Sequence, residues 1–133
     1  MSRRVAPPSG APAPVSAKLA DRPIALLPLA ETIADRYFAE FPEDAARYGD
    51  AARPWEIHDT SYCLYWAFLD VEGGADLARE IAWLADVLGA RGFPLEHLAR
   101  NLELAADVVE ECVEGSAAVA AGLRTAASST RPG

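Results

Sequence analysis

Apolar side chains recur every three to four residues along most of the chain between positions 27 and 127. This is the spacing of one face of an α-helix. In the first such stretch, apolar residues lie four positions apart at Leu29, Ile33, Tyr37 and Phe41. Prolines and glycines separate the stretches, as helix starts and ends require. The pattern predicts about six helices, and no stretch alternates with the period of two that indicates a β-strand.

We expect the helices at about residues 27–41, 43–48, 54–71, 75–90, 93–114 and 116–127. In the fifth helix the predicted inward positions extend to Cys112, and its outer face is acidic. Ser116 is the predicted N-cap of the sixth helix, because a serine oxygen can accept a hydrogen bond from a free backbone N–H there. Trp83 in the fourth helix is expected to anchor a core or an interface.

The composition supports a single all-α domain. The chain has 133 residues, of which 51% are hydrophobic, and this suits one core. Residues 1–23 contain five of the ten prolines, so we predict a disordered tail there. Residues 24–127 form the predicted helical domain, and residues 128–133 a second disordered tail.

Charge is distributed unevenly along the chain, whose net charge is −8. Residues 24–114 hold nineteen acidic and six basic residues, which leaves −13 on the folded part. Such a surface repels a phosphate backbone, so we expect no direct binding to nucleic acid.

The cysteine content and the hydropathy indicate in which cellular compartment the protein is expected. The two cysteines, Cys63 and Cys112, fall in helical patterns and are expected to be reduced. No stretch approaches the roughly 20 apolar residues of a membrane span, and no export signal is expected. We therefore predict a cytoplasmic protein that does not bind membranes.

Residues 55–68 contain most of the aromatic mass together with groups that can bind a ligand. On a helix, His58 and Tyr62 share one face, and Asp59, Cys63 and Trp66 share the adjacent one with Tyr62. Aromatic faces stack on a flat conjugated ligand, while an acid or an imidazole can bond its ring nitrogens. These five residues are the candidate ligand-binding site. The alternative is an aromatic core in which the histidine and the aspartate make local hydrogen bonds and Cys63 is a small buried group.

Several segments resemble a known family. The most specific is AWLADVLGARGFP at residues 82–94, and it is joined by YFAEFP at 37–42, ARYG at 46–49, HDTSY at 58–62 and LARNLEL at 98–104. Together they resemble the globin-like domain that precedes a cobalamin-binding domain in certain bacterial sensor proteins. That domain is similar to the bilin-holding half of photocobilin photoreceptors and distantly similar to phycobiliproteins and bilin-associated globins.

The resemblance implies a globin-like fold and a bilin, an open-chain tetrapyrrole, as cofactor. His58, Asp59 and Tyr62 match the family's H-D-x-x-Y segment, whereas Cys63 stands where relatives often have histidine. We therefore expect a non-catalytic sensory module that works with a cobalamin-binding or signalling protein. A bilin also carries propionates, for which Arg36, Arg53 and Arg91 are equally open candidates.

The sequence also allows two other functions. A ligand-free structural or interaction module, including a homo-oligomer, would use the same helices. A haem-binding globin would need His97 or His58 as its iron ligand. An enzyme is not expected, because no nucleophile, base and orienting group can be assembled from the sequence, and no metal-ligand spacing is present.

Overall fold

The computed structural model describes residues 12–132 and is mainly helical. Five long helices and one short helix follow an N-terminal β-hairpin. Their bounds are α1 Leu26–Glu40, α2 Pro42–Tyr48, α3 Ala52–Val71, α4 Leu77–Ala90, α5 Leu95–Cys112 and α6 Ala117–Thr130. A single 3-10 turn, Gly49–Ala51, connects α2 to α3. The predicted mainly helical, all-α class is thus confirmed, and these helices lie near the expected positions.

The hairpin consists of β1 Ser16–Leu19 and β2 Arg22–Ala25, which pair in antiparallel fashion. Ala20 and Asp21 both have positive φ, as two-residue hairpin turns require. In β1 the side chains of Ala17 and Leu19 are buried and alternate with exposed ones. The backbone N–H of Ala20 donates to the Glu72 carboxylate at 3.0 Å, which ties the turn to the end of α3.

The predicted disorder is therefore wrong for residues 16–23, and so is the expectation that the chain has no strand. Each strand has only four residues, and Pro23 interrupts one of them, so the alternating pattern is too short to detect. Two inward side chains nevertheless suffice to join this hairpin to the core. Residues 12–15 of the predicted tail are described and form neither helix nor strand, whereas residues 1–11 and Gly133 lie outside the described residues.

Helix ends follow the local chemistry of proline and glycine. Pro42 stops α1 and occupies the first turn of α2, where its missing N–H costs nothing. At the end of α3, Gly73 takes a φ of 80° and the N–H of Gly74 returns to the Leu69 carbonyl at 2.8 Å. These stops direct α2 and α4 back toward α3.

The core is built around α5, which packs along α6 and α1. Ala99, Ala105, Ala106, Ala120 and Ala127 are fully buried, and these small residues allow close approach of the helices. The apolar stripe of α4 is also buried and consists of Leu77, Ile81, Leu84 and Leu88. Trp83, in contrast, is 41% exposed on the outer side of α4, so it is not a core residue.

Two predictions about the C-terminal helices are wrong, and a third is correct only in part. Cys112 is exposed because α5 ends there and the next residue, Val113, turns into the core instead. Ser116 occupies the predicted N-cap position of α6, but its hydroxyl makes no capping bond and donates instead to the carbonyls of Val109 and Val113. Finally, α6 continues to Thr130, so residues 128–130 are not disordered.

Arginines neutralise much of the acidic outer face of α5. Arg124 bridges Asp107 and Glu110, and Arg131 reaches Glu103 at 2.5 Å. Exposed pairs of this kind stabilise only slightly, but they connect the middle and the C-terminal end of α6 to α5. Within residues 12–132, no helix combines the length and the apolar character that crossing a bilayer requires.

Candidate functional site

A cavity of about 370 Å³ lies between α1, α2, α3, the α4–α5 connection and the start of α5. This volume is in the range of small-molecule pockets. On α3, the lining positions are Ala52, Trp55, Glu56, Asp59 and Cys63. Their spacing of three or four residues forms one stripe along the helix. The first part of the predicted ligand-binding helix therefore does face a cavity.

Aromatic rings form much of the cavity wall. Tyr48 of α2 meets Trp55 of α3 edge to face, with ring centroids 6.0 Å apart. On its other side Tyr48 approaches Phe93, which follows α4, at 6.3 Å. Tyr37 and Phe38 of α1 add two further rings to the wall. Flat apolar surfaces from four parts of the chain thus surround the space, as a conjugated planar ligand requires.

Asp44 is a buried acid at one side of this cavity, with only 3% of its surface exposed. It accepts a short hydrogen bond from the Tyr37 hydroxyl and a second from His97 Nδ1 at 2.9 Å. Burial, and then the bond to Asp44, raise the pKa of Tyr37, so its hydroxyl remains a donor. The His97 ring stacks on Phe41 with centroids 3.9 Å apart. This network fixes α2 against α1 and α5.

A second polar chain crosses from α3 to α5. The Thr60 hydroxyl donates to Glu56 Oε2 at 3.0 Å, and Asn101 Nδ2 donates to the Thr60 oxygen at 2.9 Å. Glu56 and Asn101 both line the cavity. Burial, more than the nearby carboxylates of Asp59 and Asp44, raises the pKa of Glu56 to about 8. Near neutral pH this acid is therefore mostly protonated.

The structure separates the five predicted site residues into two groups. Asp59 and Cys63 line the cavity, whereas His58, Tyr62 and Trp66 are not among its described lining residues. These three form a row on the neighbouring face of α3, with ring centroids 5.1 Å and 5.6 Å apart. The Tyr62 hydroxyl donates to the carbonyl of Pro12, so the row lies toward the N-terminal segment.

Cys63 is in the wall but is not activated. It is only 1% exposed, and burial followed by the charges of Asp59 and Glu56 raises its pKa well above the usual value. Thiolates, not thiols, are the reactive nucleophiles. The geometry thus favours Cys63 as a small lining group over covalent attachment by its thiolate.

The three arginines that were candidates to bind a propionate have different surroundings in the structure. Arg91 lines the cavity. Arg36 pairs with Glu111 at 2.6 Å, and Arg53 pairs with Asp35 at 2.9 Å on the surface. Arg91 is therefore the arginine placed to meet an acidic group of a ligand.

Neither histidine is placed to bind a metal in this cavity. His58 Nδ1 lies 3.2 Å from Asp59 and His97 Nδ1 bonds Asp44, and neither ring is among the described lining residues. In the described part of the chain, no three His, Cys, Asp or Glu side chains are grouped to hold a metal ion.

Sequence reasoning missed Glu56, Asp44 and Asn101. Glu56 was detectable, because it lies three residues before Asp59 and seven before Cys63, on the same helical stripe. Asp44 and Asn101 depend on partners 53 and 41 residues away, so no local pattern indicates them.

Comparisons with protein-family models, with curated proteins and with solved structures find no match.

Proposed function

We propose that the chain is a non-catalytic sensory module that binds a linear tetrapyrrole in the cavity beside α3. The observation that carries the proposal is the combination of an aromatic-walled cavity of about 370 Å³ with polar residues from several helices in its lining. Ligand pockets typically join a largely apolar wall to a few such polar groups. The globin-like arrangement of the helices is part of the same proposal.

Each chemical part of a bilin finds a suitable partner in the lining. The conjugated rings would lie against Tyr48, Trp55 and Phe93. Asp59, which also lines the cavity, would accept hydrogen bonds from pyrrole nitrogens. Arg91 would bind a propionate, since a guanidinium matches the geometry of a carboxylate.

Haem is a poorer fit to this site, because no histidine is among the described residues that line the cavity. A bilin needs no axial ligand, only N–H acceptors and a partner for its carboxylates. When bound, the pigment would supply light absorption, and the residues of this chain would hold and orient it. We propose that the output passes to a cobalamin-binding or signalling protein in the cytoplasm.

Co-expression with a haem oxygenase tests the proposal, since that enzyme supplies biliverdin. We expect the purified chain to carry long-wavelength absorbance that remains through gel filtration. Arg91→Ala should reduce the bound pigment, with affinity falling about tenfold for one lost charge-assisted bond. Arg36→Ala is the matched control, because Arg36 pairs with Glu111 on the surface.

Two outcomes would count against the proposal. A wild-type chain that purifies without pigment would favour the ligand-free interaction module instead. Equal loss of pigment in both arginine variants would remove Arg91 from the site.

A further inference from the structure

The side chain of Asn101 in α5 contains a buried hydrogen-bond acceptor that is not satisfied within residues 12–132. Asn101 is only 5% exposed, and its carbonyl oxygen Oδ1 is buried without accepting a hydrogen bond from any residue that the structure describes. A buried acceptor of this kind is costly, so native proteins usually satisfy it. Asn101 also lines the cavity, so this unsatisfied amide belongs to the wall of the candidate site.

The hydrogen bond from Asn101 Nδ2 to Thr60 shows that Oδ1, and not the amide nitrogen, is the atom without a partner among the described residues. The Thr60 hydroxyl donates to Glu56, so its oxygen is available to accept from Asn101 Nδ2. An amide has donors only on nitrogen and an acceptor only on oxygen. One N–H of Nδ2 is given to Thr60, and the side-chain atom that has no partner among the described residues is the acceptor Oδ1.

We infer that Asn101 recognises an N–H edge of the ligand through Oδ1, with Thr60 and Glu56 acting as the residues that orient it. This inference rests on the proposed function and deepens it by naming a residue that selects the ligand. The selected feature is a pyrrole or lactam N–H group on a planar conjugated molecule. Asp59 on α3 provides a second acceptor on a different helix, so one ligand can be held by two N–H groups.

The test is a titration of the pigment-free chain with biliverdin, followed by absorbance and by quenching of tryptophan fluorescence. Asn101→Leu keeps the approximate size but removes the acceptor. We expect its dissociation constant for biliverdin to rise about tenfold, the effect of one buried hydrogen bond. Without ligand, the variant should unfold at the same or a higher temperature, because a buried unsatisfied acceptor has been removed.

Thr60→Val tests the orienting role separately, and it also serves if Asn101→Leu does not fold. It should weaken biliverdin binding several-fold by itself and have no further effect in the Asn101→Leu background. Thr130→Val is the matched control, since this buried threonine lies in α6 and donates to the Ala126 carbonyl of its own helix. Its biliverdin affinity should equal that of wild type.

The outcomes separate the two proposals. A wild-type chain that does not bind biliverdin overturns the tetrapyrrole function and this inference with it. A wild-type chain that binds, together with an Asn101→Leu variant that binds equally well, overturns the role of Asn101 alone. Additive losses in the Thr60 and Asn101 double variant would overturn the orienting role of Thr60.

Discussion

Replacing Glu56 by glutamine should remove a large part of the pH dependence of stability between about pH 4.5 and 8. The folded chain raises the pKa of Glu56 to about 8, chiefly by burial, whereas the unfolded chain leaves it near 4.5. Between these values the folded state binds one proton more than the unfolded state. Its free energy of unfolding therefore falls as pH rises through this window and levels off above it.

The expected change in the free energy of unfolding follows from the difference between the folded and unfolded pKa of Glu56. Each pKa unit corresponds to about 1.4 kcal/mol, so wild type should lose about 3 to 5 kcal/mol relative to Glu56→Gln between pH 4.5 and 9. Urea unfolding at a series of pH values measures this difference. Glu31→Gln makes the same chemical change at an exposed position of α1 and provides the control. Parallel stability curves for wild type and Glu56→Gln would show that the carboxyl is not buried as described.

Replacing Asp44 by alanine should destabilise the chain by about 3 kcal/mol. The change leaves two buried or partly buried donors, the Tyr37 hydroxyl and His97 Nδ1, without their acceptor. Unsatisfied donors of this kind cost more than the hydrogen bond itself contributes. Denaturant unfolding at neutral pH measures the loss.

Two variants separate this network from a general effect on α2. Glu43→Ala removes an exposed acid from the same first helical turn and should cost well under 1 kcal/mol. Tyr37→Phe should cost less in the Asp44→Ala background than in wild type, because its partner is already gone. An Asp44→Ala variant as stable as Glu43→Ala would contradict the network.

The helices were predictable because each one has a long apolar stripe and a clear stop. In α4, four leucine and isoleucine positions repeat over three turns, and the structure buries all of them. The hairpin was not predictable, because each strand has only four residues and Pro23 interrupts β2, so the alternation of buried and exposed side chains is too short to recognise. Cys112 shows a related limit, since periodicity does not show at which residue the chain leaves the helix.

The candidate site was predictable in part. Aromatic density directed the prediction to α3, which does border the cavity, and two of its five predicted residues, Asp59 and Cys63, line that cavity. Apolar and aromatic residues surround α3 on more than one side, so its sequence does not show which face meets the open space. The polar contacts from α2 and α5 arise only in the folded chain, and they therefore required the structure.

A structure of the chain purified from cells that co-express a haem oxygenase tests the central claim most directly. The account predicts a single tetrapyrrole in the cavity beside α3, with N–H groups on Asp59 and Asn101 and a propionate at Arg91. An empty cavity, or a pigment held instead against Tyr62 and Trp66 on the neighbouring face of α3, would contradict it.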